Sequence, residues 1–272
     1  MKVTVLCDNY ARYSQRLKAE HGASYYIEDG DTRILLDTGS SDLFLENAEK
    51  LDIDLSRIQY LVLSHGHWDH TDGLVAFTKK FGVDVCKNIT LITHPQAFLP
   101  KYDEDRYIGC PLSLEELSQY FQVKLTTDPL ILAPGFTYLG QIPRRFDFEN
   151  KTPLGTTVKD GQTIDDYLYD DSAIAYQSGN GVYVITGCSH SGICNITEYA
   201  KDLTGATRVL GIVGGFHLHG RSEQLAKATA YLKQEQIPEL YPAHCTSYEA
   251  RFAMKEEIPI KELGVGLILD WR

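Results

Sequence analysis

Ser64-His65-Gly66-His67-Trp68-Asp69-His70-Thr71-Asp72-Gly73-Leu74 holds three histidines and an aspartate within the six residues from 65 to 70. The run before it, Tyr60-Leu61-Val62-Leu63, is apolar and reads as a buried strand. Residues leaving such a strand stand at the rim of a sheet, where open α/β folds hold their ligands. Neutral imidazoles with a carboxylate suit a borderline divalent ion such as zinc. Asp69 and His70 are adjacent and point different ways, which leaves room for a second ion. A polar turn that is merely rich in histidine is the plain alternative, because nine histidines in 272 residues make chance pairs common. The HxHxDH order directly after a strand argues against it.

Working outward, the chain is long enough for one large domain or two small ones, and 43% hydrophobic residues supply a sizeable core. The formal net charge of −11 argues against nucleic acid as a partner, which would require phosphate neutralisation by Lys and Arg. Small anionic substrates stay open, since a metal or a local arginine can override the global sign. No segment approaches the ~20 apolar residues of a membrane span, and Met1 to Asp8 reads as a strand too short and polar for a signal peptide. Six scattered cysteines, none in CxxC, fit free thiols and a cytoplasmic setting.

Strands are expected at 2–7, 24–28, 33–36, 60–63 and 89–93, with a hairpin at Asp29-Gly30-Asp31. Helices are expected at 43–51, where Asp42 stands as a cap, and at 74–81. Ser113 to Glu116 has the pattern of a capping box. The stretch from Arg144 to Asp171 is charged and rich in turns, and reads as a covering lobe or a surface loop. A second ordered region runs from Asp171. Ala173–Tyr176 and Val182–Ile185 form a hairpin around Ser178-Gly179-Asn180-Gly181, and helices follow at 196–203, 224–234 and 249–257. Val209–Val213 and a strand at 266–270 complete the pattern. One plan recurs: strand, then glycine or proline, then histidine. It occurs at His65, His190, His217 and His244, and the strand ending on Asp37 joins the same scheme. A histidine after a strand is, taken singly, more often a hydrogen-bonded structural residue. Beside HxHxDH, His190 and His244 read as ligands, and His217 is evenly balanced. His219, His94 and His21 read as structural or substrate-facing.

Asp37-Thr38-Gly39, His65-x-His67-x-Asp69-His70 and Pro242-Ala243-His244 match, in order, the motifs of the metallo-β-lactamase superfamily, which the chain resembles. Glu20-His21-Gly22, Gly140-Gln141-Ile142-Pro143-Arg144, Thr186-Gly187-Cys188-Ser189-His190, Gly214-Gly215-Phe216-His217-Leu218 and His244-Cys245-Thr246 resemble a narrower branch. That branch contains the archaeal 7,8-dihydropterin-6-methyl-4-(β-D-ribofuranosyl)aminobenzene-5′-phosphate synthases and bacterial metal-dependent hydrolases. The resemblance implies an α/β fold over residues 1–272, a four-layer αβ/βα metallo-β-lactamase sandwich with a small α+β insertion at about 80–140. It implies two divalent metal ions, with zinc expected and manganese or iron as alternatives.

The chain departs from the superfamily pattern in two places. The superfamily usually draws a third histidine from a Gly-His-Thr-like loop and a bridging aspartate from a Thr-Gly-Asp turn. Here Gly140-Gln141-Ile142-Pro143 carries no histidine, and Thr186-Gly187-Cys188 carries cysteine. His190 is then the best third ligand. The expected sets are His65, His67 and His190 for one ion and Asp69, His70 and His244 for the other. The bridge is either the Cys188 thiolate or hydroxide alone. Asp37 is expected to hydrogen-bond a ligand imidazole and fix its tautomer.

Two such ions would bring a bridging water toward neutrality as a hydroxide nucleophile. Asp69 would orient it and take up its proton, and His217 or His190 would protonate the leaving group. His217 and His21 are candidate substrate contacts. Arg144, with Arg145, is a candidate grip on phosphate, with a solvated loop as the equal alternative. Trp68 reads as a pocket wall or as packing, and Cys245 as a reactive or a buried thiol. The expectation is a dinuclear hydrolase acting on a small ester or phosphate-containing metabolite. A pterin-linked transferase displacing diphosphate and a non-catalytic ligand or metal sensor are the alternatives.

Overall fold

The principal strands are apolar runs, several of them closed by glycine or aspartate. In chain order the strands are β1 Lys2–Cys7, β2 Ser24–Asp29, β3 Thr32–Leu36, β4 Tyr60–Val62, β5 Thr90–Thr93, β6 Lys101–Asp103, β7 Arg106–Tyr107, β8 Gln122–Leu125 and β9 Leu130–Ala133. They continue with β10 Phe136–Tyr138, β11 Thr156–Lys159, β12 Gln162–Asp165, β13 Ala173–Ser178, β14 Gly181–Thr186, β15 Arg208–Gly215, β16 Glu239–Ala243 and β17 Ile268–Asp270. The helices are α1 Leu43–Lys50, α2 Trp68–Thr71, α3 Gly73–Cys86, α4 Leu114–Ser118, α5 Ile193–Thr204, α6 Glu223–Gln234 and α7 Tyr248–Glu257. The computed structural model describes residues 1–13 and 16–271. They divide into two units, one drawn from 1–127, 154–166 and the stretch from 264 onward, the other from 128–153 and 167–263.

The first unit is built on a seven-stranded sheet in the order β17-β1-β2-β3-β4-β5-β8. Its β1, β2, β3 and β17 pair antiparallel, whereas β3, β4, β5 and β8 run parallel. The β2–β3 hairpin turns at Gly30, whose φ of 54° is the left-handed conformation that glycine adopts without steric cost. Leu6, Leu35, Leu61, Leu63 and Leu91 pack with Phe44 and Leu45 of α1 and Leu74 and Phe77 of α3. Each such side chain contributes about 1.5–3 kcal/mol on leaving water. The helix expected to stop at Phe81 instead breaks at Gly82, with φ 61° and ψ −178°, and resumes to Cys86. The expected side-chain cap of α1 is not formed by Asp42; Leu43 N donates to Ser41 Oγ at 3.1 Å. The capping box of α4 is present, with Ser113 and Glu116 bonded reciprocally.

A second, four-stranded sheet, β12-β11-β6-β7, belongs to the same unit. It differs from the lobe expected at about 80–140. Within that span, β5 and β8 extend the seven-stranded sheet, and β9 and β10 lie in the second unit. Only β6 and β7 enter the small sheet, and their partners come from 156–165. Burial explains the division: Leu91 is fully enclosed, whereas β12 is exposed along its length. The small sheet is fixed by an ion pair between buried Lys101 and Asp166 at 2.8 Å.

The second unit carries a six-stranded sheet, β16-β15-β14-β13-β10-β9. The strands β14, β15 and β16 run parallel, so their carboxyl ends emerge on one edge. Its core joins Ala173, Ala175, Val182 and Val184 to Ile193, Ile196 and Ala200 of α5. Leu225, Ala228 and Leu232 of α6 and Ala250 and Met254 of α7 complete it. The architecture is mixed α/β with several sheets, as expected. Among the described residues no helix is long and apolar enough to cross a membrane.

Candidate metal centre

In the first unit the ligand stretch begins where β4 ends. Ser64 N donates to Asp37 Oδ1 at 2.7 Å, and Ser64 Oγ–H donates to Asp37 Oδ2 at 2.7 Å. Its single hydroxyl proton thus spent, Ser64 Oγ accepts from His65 Nδ1 at 2.9 Å. That assigns the proton of His65 to Nδ1 and leaves its Nε2 lone pair for another partner. Asp37 Oδ2 also accepts from His70 Nδ1 at 2.7 Å, with both side chains fully buried, which engages Nδ1 and directs His70 Nε2 away from that carboxylate. Asp37 thus orients two imidazoles, one of them through Ser64. Ser64 is the member of this chain that the sequence reading missed; its place directly before His65 was the available signal.

His65 Nε2 and His67 Nδ1 face each other at 3.0 Å. Two nitrogens on one tetrahedral zinc ion are about 3.3 Å apart, given bonds of about 2.0–2.1 Å, so the pair fits a common ion. Burial, with His70 and His67 close by, holds the His65 pKa well below the ordinary histidine value. The ring is therefore neutral at neutral pH, the state a metal requires. His67 stands at the N-cap position of α2, which carries Asp69 and His70 in its single turn. Thr38 fixes that turn, its N and Oγ1 donating to His70 O at 2.8 and 3.0 Å. Asp69 Oδ2 lies 3.1 Å from His21 Nε2 and 3.9 Å from His70 Nε2. His21, exposed and tilted against Trp68 at 5.6 Å, holds the carboxylate from the solvent side. Gly66 is needed for space, since a Cβ there would lie 1.9 Å from Ala97 O.

In the second unit the loops after β14, β15 and β16 carry the remaining candidates. Each contains a residue other than glycine in the left-handed region: Ser189 (φ 58°), His217 (φ 47°) and His244 (φ 45°). Asp37 does the same after β3, with φ 59°. Such residues cost of order 1–3 kcal/mol each and cluster where a side chain must be aimed. Ser189 Oγ donates to Gly215 O at 2.6 Å, and Gly215 N to Gly187 O at 2.8 Å, which ties the first two loops together. Phe216 N donates to Thr246 Oγ1 at 2.9 Å, which ties the last two. The rings of His190 and His217 are 4.4 Å apart, and those of His217 and His219 4.8 Å. The metal-binding atoms of Cys188, His244 and Cys245 all lie within 4.8 Å of one another.

The loop bearing His190 is held by groups the sequence reading did not single out. Asn150 Nδ2 donates to His190 O at 2.6 Å. Asp171 accepts from Ser191 N at 2.9 Å and Ser191 Oγ at 2.5 Å. Glu149 accepts from Cys194 N and Asn195 N, both at 2.9 Å, at the start of α5. Burial is the main cause that raises Glu149 to about 7 and Asp171 to about 6, against the pull of those hydrogen bonds. These residues lie in or beside the stretch read as a charged loop, and only the fold brings them together. Arg144 turns inward: its guanidinium donates to Asn150 Oδ1, Tyr167 O and Leu168 O and lies 4.4 Å over the Tyr169 ring. Arg145 pairs with Asp202 at 2.6 Å. His94 accepts from Gln96 N at 3.1 Å at the start of the turn over 95–98.

Buried imidazoles, a carboxylate on the same turn and strand-end loops bearing further histidines make a group of side chains that could hold metal. The chain belongs to the metallo-β-lactamase superfamily, whose sequence profile matches residues 17–203. It is 34% identical over 253 residues to the uncharacterized protein MJ0448 of Methanocaldococcus jannaschii, covering 91% of each chain. It is 28% identical over 288 residues to the 7,8-dihydropterin-6-methyl-4-(β-D-ribofuranosyl)-aminobenzene-5′-phosphate synthase of the same organism, covering 100% of this chain and 97% of that one. Among solved structures it resembles Tm1679, described as a metal-dependent hydrolase of the β-lactamase superfamily. The TM-score is 0.84 and the identity 30%, over 100% of this chain and 99% of that one.

Proposed function

We propose that the chain is a dinuclear metal-dependent hydrolase acting on a small ester or phosphate-containing metabolite. The observation that carries this reading is the Asp37–Ser64–His65 and Asp37–His70 network, which engages the Nδ1 atom of each buried imidazole and directs its Nε2 away from Asp37. His65, His67, Asp69 and His70 are the donors assigned in the first unit, and Cys188, His190 and His244 those assigned in the second. Zinc suits this donor set, with manganese or iron as alternatives. Divalent ions held there would supply Lewis acidity toward the scissile group and a nucleophilic water at neutral pH. Asp69 would serve as the proton acceptor for a nucleophilic water, and its contact with His21 at 3.1 Å holds the acceptor oxygen in place. His217 delivers a proton to the leaving oxygen, its ring aimed by the left-handed backbone at that residue. His21 also borders the substrate. Arg144, whose guanidinium donors are engaged within the second unit, is assigned to positioning the loop of His190 rather than to gripping phosphate.

The likeness to the synthase favours a second reading, transfer to an acceptor other than water with diphosphate as the leaving group. The experiment is turnover of a panel of phosphate esters and carboxylic esters by zinc- or manganese-loaded chain, with incorporation of oxygen from labelled water into the product. Labelled product, abolished in Asp69→Ala while the chain stays folded, supports the hydrolase. Absence of bound metal and of turnover removes it. Turnover that needs an acceptor and leaves the product unlabelled selects the transferase.

A further inference from the structure

Two of the second unit's three cysteines, Cys188 and Cys245, stand just past the ends of strands in one sheet. Cys188 leaves β14 and Cys245 leaves β16, with β15 between them in the sheet. The middle strand ends on Gly215, which stands opposite Ala243 in register and bonds to Gly187 O. A Cβ on Gly215 would lie 2.5 Å from Cys245 Sγ, 2.7 Å from Gly187 O and 3.2 Å from Cys188 Cα. The side chain missing from the middle strand is thus the space through which the outer loops bring their sulfurs together. Cys245 Sγ donates to Cys188 O at 3.4 Å, and His244 completes the group within 4.8 Å. Two thiolates on one tetrahedral zinc ion are about 3.8 Å apart, given bonds of about 2.3 Å, so small rotations close the set. The remaining cysteines, Cys7, Cys86, Cys110 and Cys194, are buried, and burial pushes their thiols up.

We propose that Cys188, His244 and Cys245 form a thiolate site for one zinc-like divalent ion, with Cys245 a ligand in its own right and all three donors supplied by the second unit. This rests on the reading of the chain as a divalent-metal enzyme and adds a sulfur donor to it. Binding releases the two thiol protons to solvent, and the two thiolates balance the charge of the ion. Sulfur selects zinc over manganese or magnesium. Three protein donors leave a fourth position open, the pattern of a site that exchanges a ligand rather than a purely structural one.

Zinc X-ray absorption on the reduced, full-length chain tests this. The wild type is expected to show a sulfur shell at about 2.3 Å. That contribution halves in Cys245→Ser and falls in Gly215→Ala, which keeps every cysteine. It persists in the His65→Ala/His67→Ala double variant. A shell of nitrogen and oxygen alone, or a sulfur shell unchanged in Cys245→Ser, overturns the proposal. Alkylation of the wild type followed by mass mapping needs no variant to fold: zinc is expected to protect Cys245, and equal alkylation with and without zinc overturns it. A sulfur shell without ester turnover keeps this inference and removes the hydrolase reading; turnover without a sulfur shell does the reverse.

Discussion

Asp37 is the residue on which the first unit's imidazoles depend. It accepts from Ser64 twice and from His70 once while fully buried. Removing a partner that fixes a ligand's tautomer weakens metal binding by roughly 10–100-fold. Asp37→Ala is expected to lose zinc affinity by that factor in competition with a chelator; unchanged affinity would show that Asp37 only packs. Glu149 makes a different prediction. Its folded-state pKa of about 7 lies above the ordinary 4.5, mainly because of burial. The native state therefore holds this proton more tightly than the unfolded chain does. The penalty for ionising it is absent below about pH 4.5 and complete above about pH 7. Relative to Glu149→Gln, the wild type is expected to lose stability as pH rises through that window, on the order of 3 kcal/mol. Tm against pH for the two chains measures this; parallel curves would contradict it.

At the scale of elements, strand ends were legible because local signals and long-range pairing agree there. The run at 60–63 leads into HxHxDH, and β14, β15 and β16 each have a glycine or proline at or beside their end, before a histidine. Glycine also bounds α3, where the helical pattern ended at Phe81 and the backbone breaks at Gly82. The region 144–171 was not legible. Its polar residues bond to distant partners, Arg144 to Tyr167 and Leu168, and Glu149 to the start of α5, which no periodicity encodes. The extent of the small sheet was hidden for the same reason, since β6 pairs with β11 across more than fifty residues of chain. Phe77 of α3 is fully buried against Phe44, Phe81 and Phe121. Phe77→Ala is expected to cost about 3–5 kcal/mol in denaturant unfolding; a loss below one kcal/mol would mean that this helix does not hold the sheet.

For the molecule as a whole, the superfamily profile matches residues 17–203, a span that takes in parts of both units. HxHxDH alone spoke for metal. The distal histidines gained meaning only as a set, because a single histidine after a strand is ordinary. The substitution of Cys188 for the usual aspartate was visible in the sequence. The closeness of Cys245 to it was not, because that depends on Gly215 in the intervening strand. The central claim is that the chain uses bound divalent metal to hydrolyse a small ester or phosphate ester. Metal content per chain, measured together with turnover of such substrates before and after chelation, tests it most directly. Bound zinc-like ions, loss of turnover on chelation, recovery on adding metal back, and no recovery in Asp69→Ala are expected. Turnover that survives complete removal of metal would contradict it.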